Sequence, residues 1–125
     1  MIPWMPRSLP APAGHYVPAM QAGGLVFLSG VLPDLARGDA FATQFETCFD
    51  RVEAILGDGG LGLGNIVQCT VYLAGIQYWD EFNALYGRRL GTHRCARTVV
   101  PVGPLHYGAL LEVQVVAEAT QSSAA

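Results

Sequence analysis

The chain reads as one two-layer α+β domain, a mixed sheet with two helices on one face. Three observations carry that reading. Short runs of period two, rich in Val, Leu, Phe and Tyr, alternate with two longer runs whose apolar residues recur at helical spacing. Glycine- and proline-rich stretches separate them. The last strand has one fully apolar face and one mixed face, the pattern of a sheet covered on one side. At 125 residues the chain can bury a core without disulfides or metal, and residues 1–125 are read as a single domain.

Taken in order, residues 1–14 are dense in proline and cannot sustain a helix or a central strand. They are expected to form an extended arm, either ordered by Trp4 packing on a neighbouring molecule or left as a tail. His15 to Gln21 can be a short strand, Ala22-Gly-Gly24 a turn, and Leu25 to Gly30 a second, buried strand, together a hairpin. A loop with Pro33 follows, from Val31 to Gly38. Asp39 is the expected N-cap of a helix whose stripe is Phe41, Phe45, Cys48, Val52 and Ile55, ending at the glycines from Gly57 to Gly60. Ile66 to Leu73 is the best strand, with Val67, Cys69, Val71 and Leu73 assigned to the core face and Ile66, Gln68, Thr70 and Tyr72 to the other. Trp79 to Leu90 is the second helix, closed by Gly91, with Arg88 and Arg89 complementing its dipole. A strand, a loop and a last strand run from Cys95 to Ala119. Residues 120–125 are small and polar and are expected to fray. The order is ββαβαββ.

Composition narrows the function. Half the residues are apolar (51%) and only 14% are charged, against about 25% in an average globular protein. So few charges suggest that another subunit covers part of the surface. The formal charge of −3 offers no general field for nucleic acid. All seven basic residues are arginine, which excludes a lysine Schiff base and a P-loop lysine. Cys48, Cys69 and Cys95 are odd in number and in no metal-ligand spacing, as in a reduced, cytosolic protein. No secretory leader and no membrane span are expected.

The last strand poses a puzzle. Leu111, Val113, Val115 and Ala117 form its core face, while Glu112 stands mid-strand on the other, where an isolated charge is costly. A partner charge, water, another subunit or a ligand must face it. Arg97, near the start of the preceding strand, presents a planar fork suited to a carboxylate.

These residues stand in a wider set: Gly14-His-Tyr16, Val26-Phe-Leu-Ser-Gly30 with Pro33, Thr70-Val-Tyr-Leu73, Phe82-Asn-Ala-Leu-Tyr86, Ala96-Arg-Thr98 and Gly108-Ala-Leu-Leu-Glu112. In that order and spacing, from about residue 12 to residue 119, the chain resembles the RidA/YjgF family of enamine/imine deaminases, also called reactive intermediate deaminases. The resemblance implies a chorismate-mutase-like (YjgF-like) subunit fold with a mixed six-stranded sheet. It also implies a homotrimer with active sites in clefts between subunits, no cofactor and no metal; the charge balance and the lack of a long apolar run add the expectation of no nucleic-acid partner and no membrane. The implied chemistry is hydrolysis of 2-imino or 2-enamino acids to 2-oxo acids and ammonia. Arg97 would grip the substrate carboxylate with help from the backbone at Val99, Glu112 would hold or activate the water, and Tyr16 and Ser29 would complete the site. His106 and Tyr107 fall in the loop before the Glu112 strand and are expected at the pocket mouth. The sequence departs from the family pattern at Val31, Cys95, Val99 and His106-Tyr107, away from the usual small substrate 2-aminoacrylate. Two other readings stay open: a regulatory trimer that binds small carboxylates, and a divergent enzyme of this fold acting on an unsaturated acid.

Overall fold

The computed structural model describes residues 1–119; the tail expected at 120–125 lies outside them. Six strands form one mixed sheet: β1 (Ile2–Trp4), β2 (Ala19–Ala22), β3 (Leu25–Leu28), β4 (Ile66–Leu73), β5 (Ala96–Pro101) and β6 (Leu111–Glu118). Their order across the sheet is β1-β2-β3-β6-β4-β5. Only the β4–β5 pair is parallel, linked by the crossover helix α2 (Trp79–Leu90); helix α1 (Phe41–Asp58) connects β3 to β4. The expected fold class holds. Among the described residues no helix is long and apolar enough to cross a membrane.

Both helices lie on one face. Val26, Leu28, Cys69, Val71, Leu73, Leu111, Val113, Val115 and Ala117 of the sheet are buried with Phe45, Phe49, Phe82 and Leu85 of the helices in a single core. Phe45 stacks on Phe49 with centroids 4.7 Å apart, and Phe82 and Tyr86 of α2 close on them edge-on or tilted. Across the helix surface Arg89 bonds Glu46, Asp50 and Glu53 of α1. It therefore ties the two helices together, beyond the dipole role expected of it.

Five expectations are corrected. The sixth strand comes from the proline arm: Ile2–Trp4 pairs antiparallel with β2 at the edge of the sheet, where Pro3 breaks no ladder shared on both sides. Trp4 packs within its own chain. Its indole donates to Gln21 Oε1 at 3.1 Å, and its ring lies over Gly59, where any side chain would collide with it. The expected strand from His15 shortens to Ala19–Ala22, because Pro18 lacks a donor and its carbonyl is taken by the Ser29 N–H. Asp39 is not the N-cap. Ala40 holds that position without a side-chain bond, and the Asp39 carbonyl is occupied by the Gln44 amide at 2.8 Å. Finally, the face assignment at the start of β4 is inverted by a bulge between Ile66 and Gln68. Ile66 is buried and Val67 is 46% exposed on the open face.

The loop from Val31 also carries structure. Val31 bridges Val113 of β6, and Leu35–Arg37 make a short 3-10 turn capped by Asp34, whose Oδ1 accepts from the Ala36 N–H.

Candidate active site

Register decides where the two central residues point. In the parallel β4–β5 pair Arg97 sits beside Cys69, whose side chain is on the helix-covered face. In the antiparallel β4–β6 pair Glu112 sits beside Tyr72, on the opposite parity. Arg97 and Glu112 therefore project from opposite faces of one sheet, with β4 between their strands. One chain does not bring them to one small ligand.

Arg97 lies at the outer edge of the sheet against α2. Its guanidinium carbon is 5.0 Å from the Tyr86 ring centroid, 5.7 Å from Trp79 and 5.8 Å from Phe82, all within cation–π range. Nη1 donates to Asn83 Oδ1 at 3.0 Å. No carboxylate among the described residues pairs with it. The group is thus oriented by rings and one amide, with most of its five donors uncommitted. It borders a cavity of about 420 Å³ that Asn83, Tyr86, His93, Arg94 and Cys95 also line. Burial, then the neighbouring cysteines, pushes the Tyr86 hydroxyl pKa well above its ordinary value. Burial likewise pushes the Cys69 thiol up to about 12. Both stay neutral at pH 7, so neither competes as an anion for Arg97. Val99 pairs with Val71 of β4 and packs on the core; its backbone belongs to an edge strand, where half the polar groups are unpaired by the sheet.

Glu112 stands on the open face. Its carboxylate lies directly over Gly30, so closely that a Cβ at Gly30 would overlap Oε2. Gly30 is thus the seat of the glutamate, and the Ser-Gly strand ending serves that seat. Ser29 donates its hydroxyl to the Val17 carbonyl at 2.7 Å, and its N–H bonds the Pro18 carbonyl at 2.9 Å. Its single proton is spent on holding the 16–18 segment; only its oxygen lone pairs remain for a ligand. Tyr16, on that segment, is half exposed.

Tyr16 and Tyr107 line one cavity of about 320 Å³ with the arm residues 9–13. The His106 and Tyr107 rings stack at 3.7 Å and 15°. Tyr107 has φ +61°, the only non-glycine residue of positive φ in the described chain. The structure therefore groups Glu112 with Gly30 and Ser29, and Tyr16 with Tyr107. It sets Arg97 and Val99 apart, at the far edge.

Two contributors escape a reading of the sequence. Asn83 orients Arg97 from the exposed side of α2; its spacing of one turn before Tyr86 was the available signal. Gln44 is buried on α1, at 2% exposure. Its Oε1 accepts from the Leu110 N–H at 2.8 Å while its amide donates to Asp39, anchoring the start of β6 two residues before Glu112. A glutamine inside an aromatic stripe was the signal.

Comparisons with known proteins agree with this architecture. The profile of the family described as endoribonuclease L-PSP matches residues 6–119. Protein HMF1 of Saccharomyces cerevisiae is 31% identical over 122 residues, covering 94% of each chain. The crystal structure of yeast Mmf1 superposes with a TM-score of 0.81 at 33% identity, over 87% of this chain and 90% of that one. The YjgF gene product of E. coli superposes with a TM-score of 0.85 at 27% identity, over 94% and 98%. With nearly the whole length matched in sequence and in fold, the chain belongs to the endoribonuclease L-PSP family, the family of YjgF and RidA.

Proposed function

We propose that the protein is a homotrimeric hydrolase that converts 2-imino and 2-enamino acids to 2-oxo acids and ammonia without a cofactor, in clefts between subunits. The observation that carries this reading is the split between Arg97 and Glu112. One is a guanidinium held ready for a carboxylate; the other is a carboxylate with no cationic partner among the described residues. They face opposite sides of one sheet. A second subunit, docked with its edge against the open face of the first, would complete one site from two halves. The open face suits such docking: Leu25, Phe27 and Val67 are exposed there around Gln68, Thr70 and Gln114.

The chemistry needs little more. An imine carbon is already electrophilic. Arg97 fixes the carboxylate of R–C(=NH)–COO⁻ through two parallel N–H···O bonds. Glu112 orients a water and takes one of its protons as the oxygen adds to carbon. Glu112 hands that proton to the imine nitrogen, giving the carbinolamine R–C(OH)(NH2)–COO⁻, and then carries the hydroxyl proton to the amine as the C–N bond breaks and the C=O bond forms. Ammonia and the 2-oxo acid leave, and Glu112 is regenerated. Cleavage of RNA, which the family description names, finds less support here: the chain has no lysine and a formal charge of −3.

The test uses imines generated in place by an amino-acid oxidase, with semicarbazide as a competing trap. The protein is expected to speed ammonia release and lower semicarbazone yield, and Arg97→Ala to lose about 100-fold or more in kcat/KM. Full activity in Arg97→Ala would remove the carboxylate clamp. Carboxylate-dependent thermal stabilisation without any ammonia release would instead identify a binding protein.

A further inference from the structure

We infer that Arg94 is a second anion clamp in the cavity beside Arg97, and that the site prefers 2-imino acids whose side chain ends in a second carboxylate, of the 2-iminosuccinate and 2-iminoglutarate kind. The inference rests on the deaminase reading and names the substrate class for the same site.

Charge is spread unevenly along the chain. The formal total is −3, yet residues 82–111 hold Arg88, Arg89, Arg94 and Arg97 and neither Asp nor Glu. Arg89 is neutralised by Glu46, Asp50 and Glu53. Arg94 and Arg97 have no carboxylate partner among the described residues. Both line the cavity of about 420 Å³ between the end of α2 and the start of β5, and no Asp or Glu lines it with them. Two like charges share one space, and an anion between them would relieve their repulsion.

The backbone around Arg94 is anchored on both sides, although its side chain is exposed. Gly91, at φ +60°, turns the chain at the end of α2. His93 is then fixed twice. Its N–H bonds the Leu90 carbonyl at 3.1 Å, and its Nε2 donates to the Ile66 carbonyl at 2.8 Å. On the other side the Cys95 thiol pairs with the Tyr86 hydroxyl at 3.3 Å. A surface arginine that only solvates needs neither anchor. One that meets a ligand gains from both, because less freedom is lost on binding.

Reach agrees with charge. Arg97 is itself part of the lining, so an acid in its grip lies at this cavity. Arg94 and Arg97 are three positions apart, which sets their Cα atoms at most about 11 Å from each other. Their long side chains can close on the two ends of a short diacid. An uncharged side chain in the same place would take water from Arg94 and replace none of its bonds.

The test measures binding of two 2-oxo acids by calorimetry. One is 2-oxoglutarate; the other is 5-methyl-2-oxohexanoate, the same skeleton with methyl groups in place of the distal oxygens. The wild type is compared with Arg94→Gln and with Arg88→Gln, which removes an equal charge from the last turn of α2, outside the cavity lining. Wild type is expected to bind 2-oxoglutarate at least about tenfold more tightly than its isostere. Arg94→Gln should shrink that ratio at least about fivefold, and Arg88→Gln should keep it within about twofold. Equal affinity for the two acids in the wild type, an unchanged ratio in Arg94→Gln or an equal loss in Arg88→Gln would overturn the clamp. The imine assay, run on the imines of glutamate and of 2-amino-5-methylhexanoate, separates this from the underlying reading. Ammonia release at equal kcat/KM from both sinks the clamp and keeps the deaminase. A binding preference that Arg94→Gln abolishes, without any ammonia release, sinks the deaminase and keeps the clamp.

Discussion

The two faces of the sheet are made by the same alternating strands, yet they are finished differently. On the helix side, every inward residue of β6 meets α1, α2 or the residues of β4 beside it, and no buried polar side-chain atom of the described residues lacks a bond. On the open side, Phe27 and Val67 are partly exposed on the face that also carries Gln114 and Glu112. A face completed by its own chain has one stable packing. A face left half apolar and half charged makes sense only with something else against it. The chemistry divides along this line as well, with Arg97 on one side and Glu112 on the other.

Mixing subunits should show the largest effect of this division. Arg97→Ala and Glu112→Ala should each be nearly inactive alone. Co-refolded together, they should recover about one quarter of wild-type activity, the share of interfaces that receive an intact arginine and an intact glutamate from different chains in a random cyclic mixture. Sedimentation should show a trimer throughout. No recovery in mixed trimers would place both groups of a site on one chain, which the register of β4 with β5 and β6 opposes.

A smaller effect is expected from Gly30→Ala. The new methyl would occupy the seat of the Glu112 carboxylate, and the flexible end of Glu112 would swing aside. Denaturation should be unchanged to within about 0.5 kcal/mol, while kcat/KM falls about 100-fold from misplacement alone. Equal loss of stability and activity would mean that the seat is structural.

The covered face was legible in the sequence because burial imposes a period. The stripe from Phe41 to Ile55, the span of α2 and the alternation of β6 follow from it. The failures share a cause: each depends on a local backbone event that no period encodes. The bulge at Ile66 exchanged the faces of two neighbours. Trp4 found its own Gly59 rather than a neighbour. Gln44 displaced Asp39 from its expected capping role. As for the site, Arg97 and Glu112 were legible as residue types out of place, but their opposite directions appear only once the register is known.

Gln44 tests the covered face directly. Gln44→Leu keeps the volume but leaves the Leu110 N–H without its acceptor. Urea unfolding should lose about 1–3 kcal/mol at an unchanged m-value. Activity per folded molecule should fall less than in Gly30→Ala, since the bond anchors the strand and not the carboxylate itself.

The smallest effect concerns the dryness of that face. Cys69 is fully buried, and burial pushes its pKa to about 12, against about 8.5 in an unfolded chain. Burial pushes Cys48 upward as well. Both are groups whose folded pKa is raised, so their contribution is fully present below pH 8.5. It is lost as pH rises toward the folded pKa, because only the unfolded chain releases the protons. Stability should therefore fall between about pH 8.5 and 12, by at most ~1.4 kcal/mol per pH unit for each thiol. Cys69→Ala removes one share and should flatten the decline in Tm over that window. A decline of the same slope in the variant would show that water reaches Cys69, and that the helix-covered face is less sealed than its packing implies.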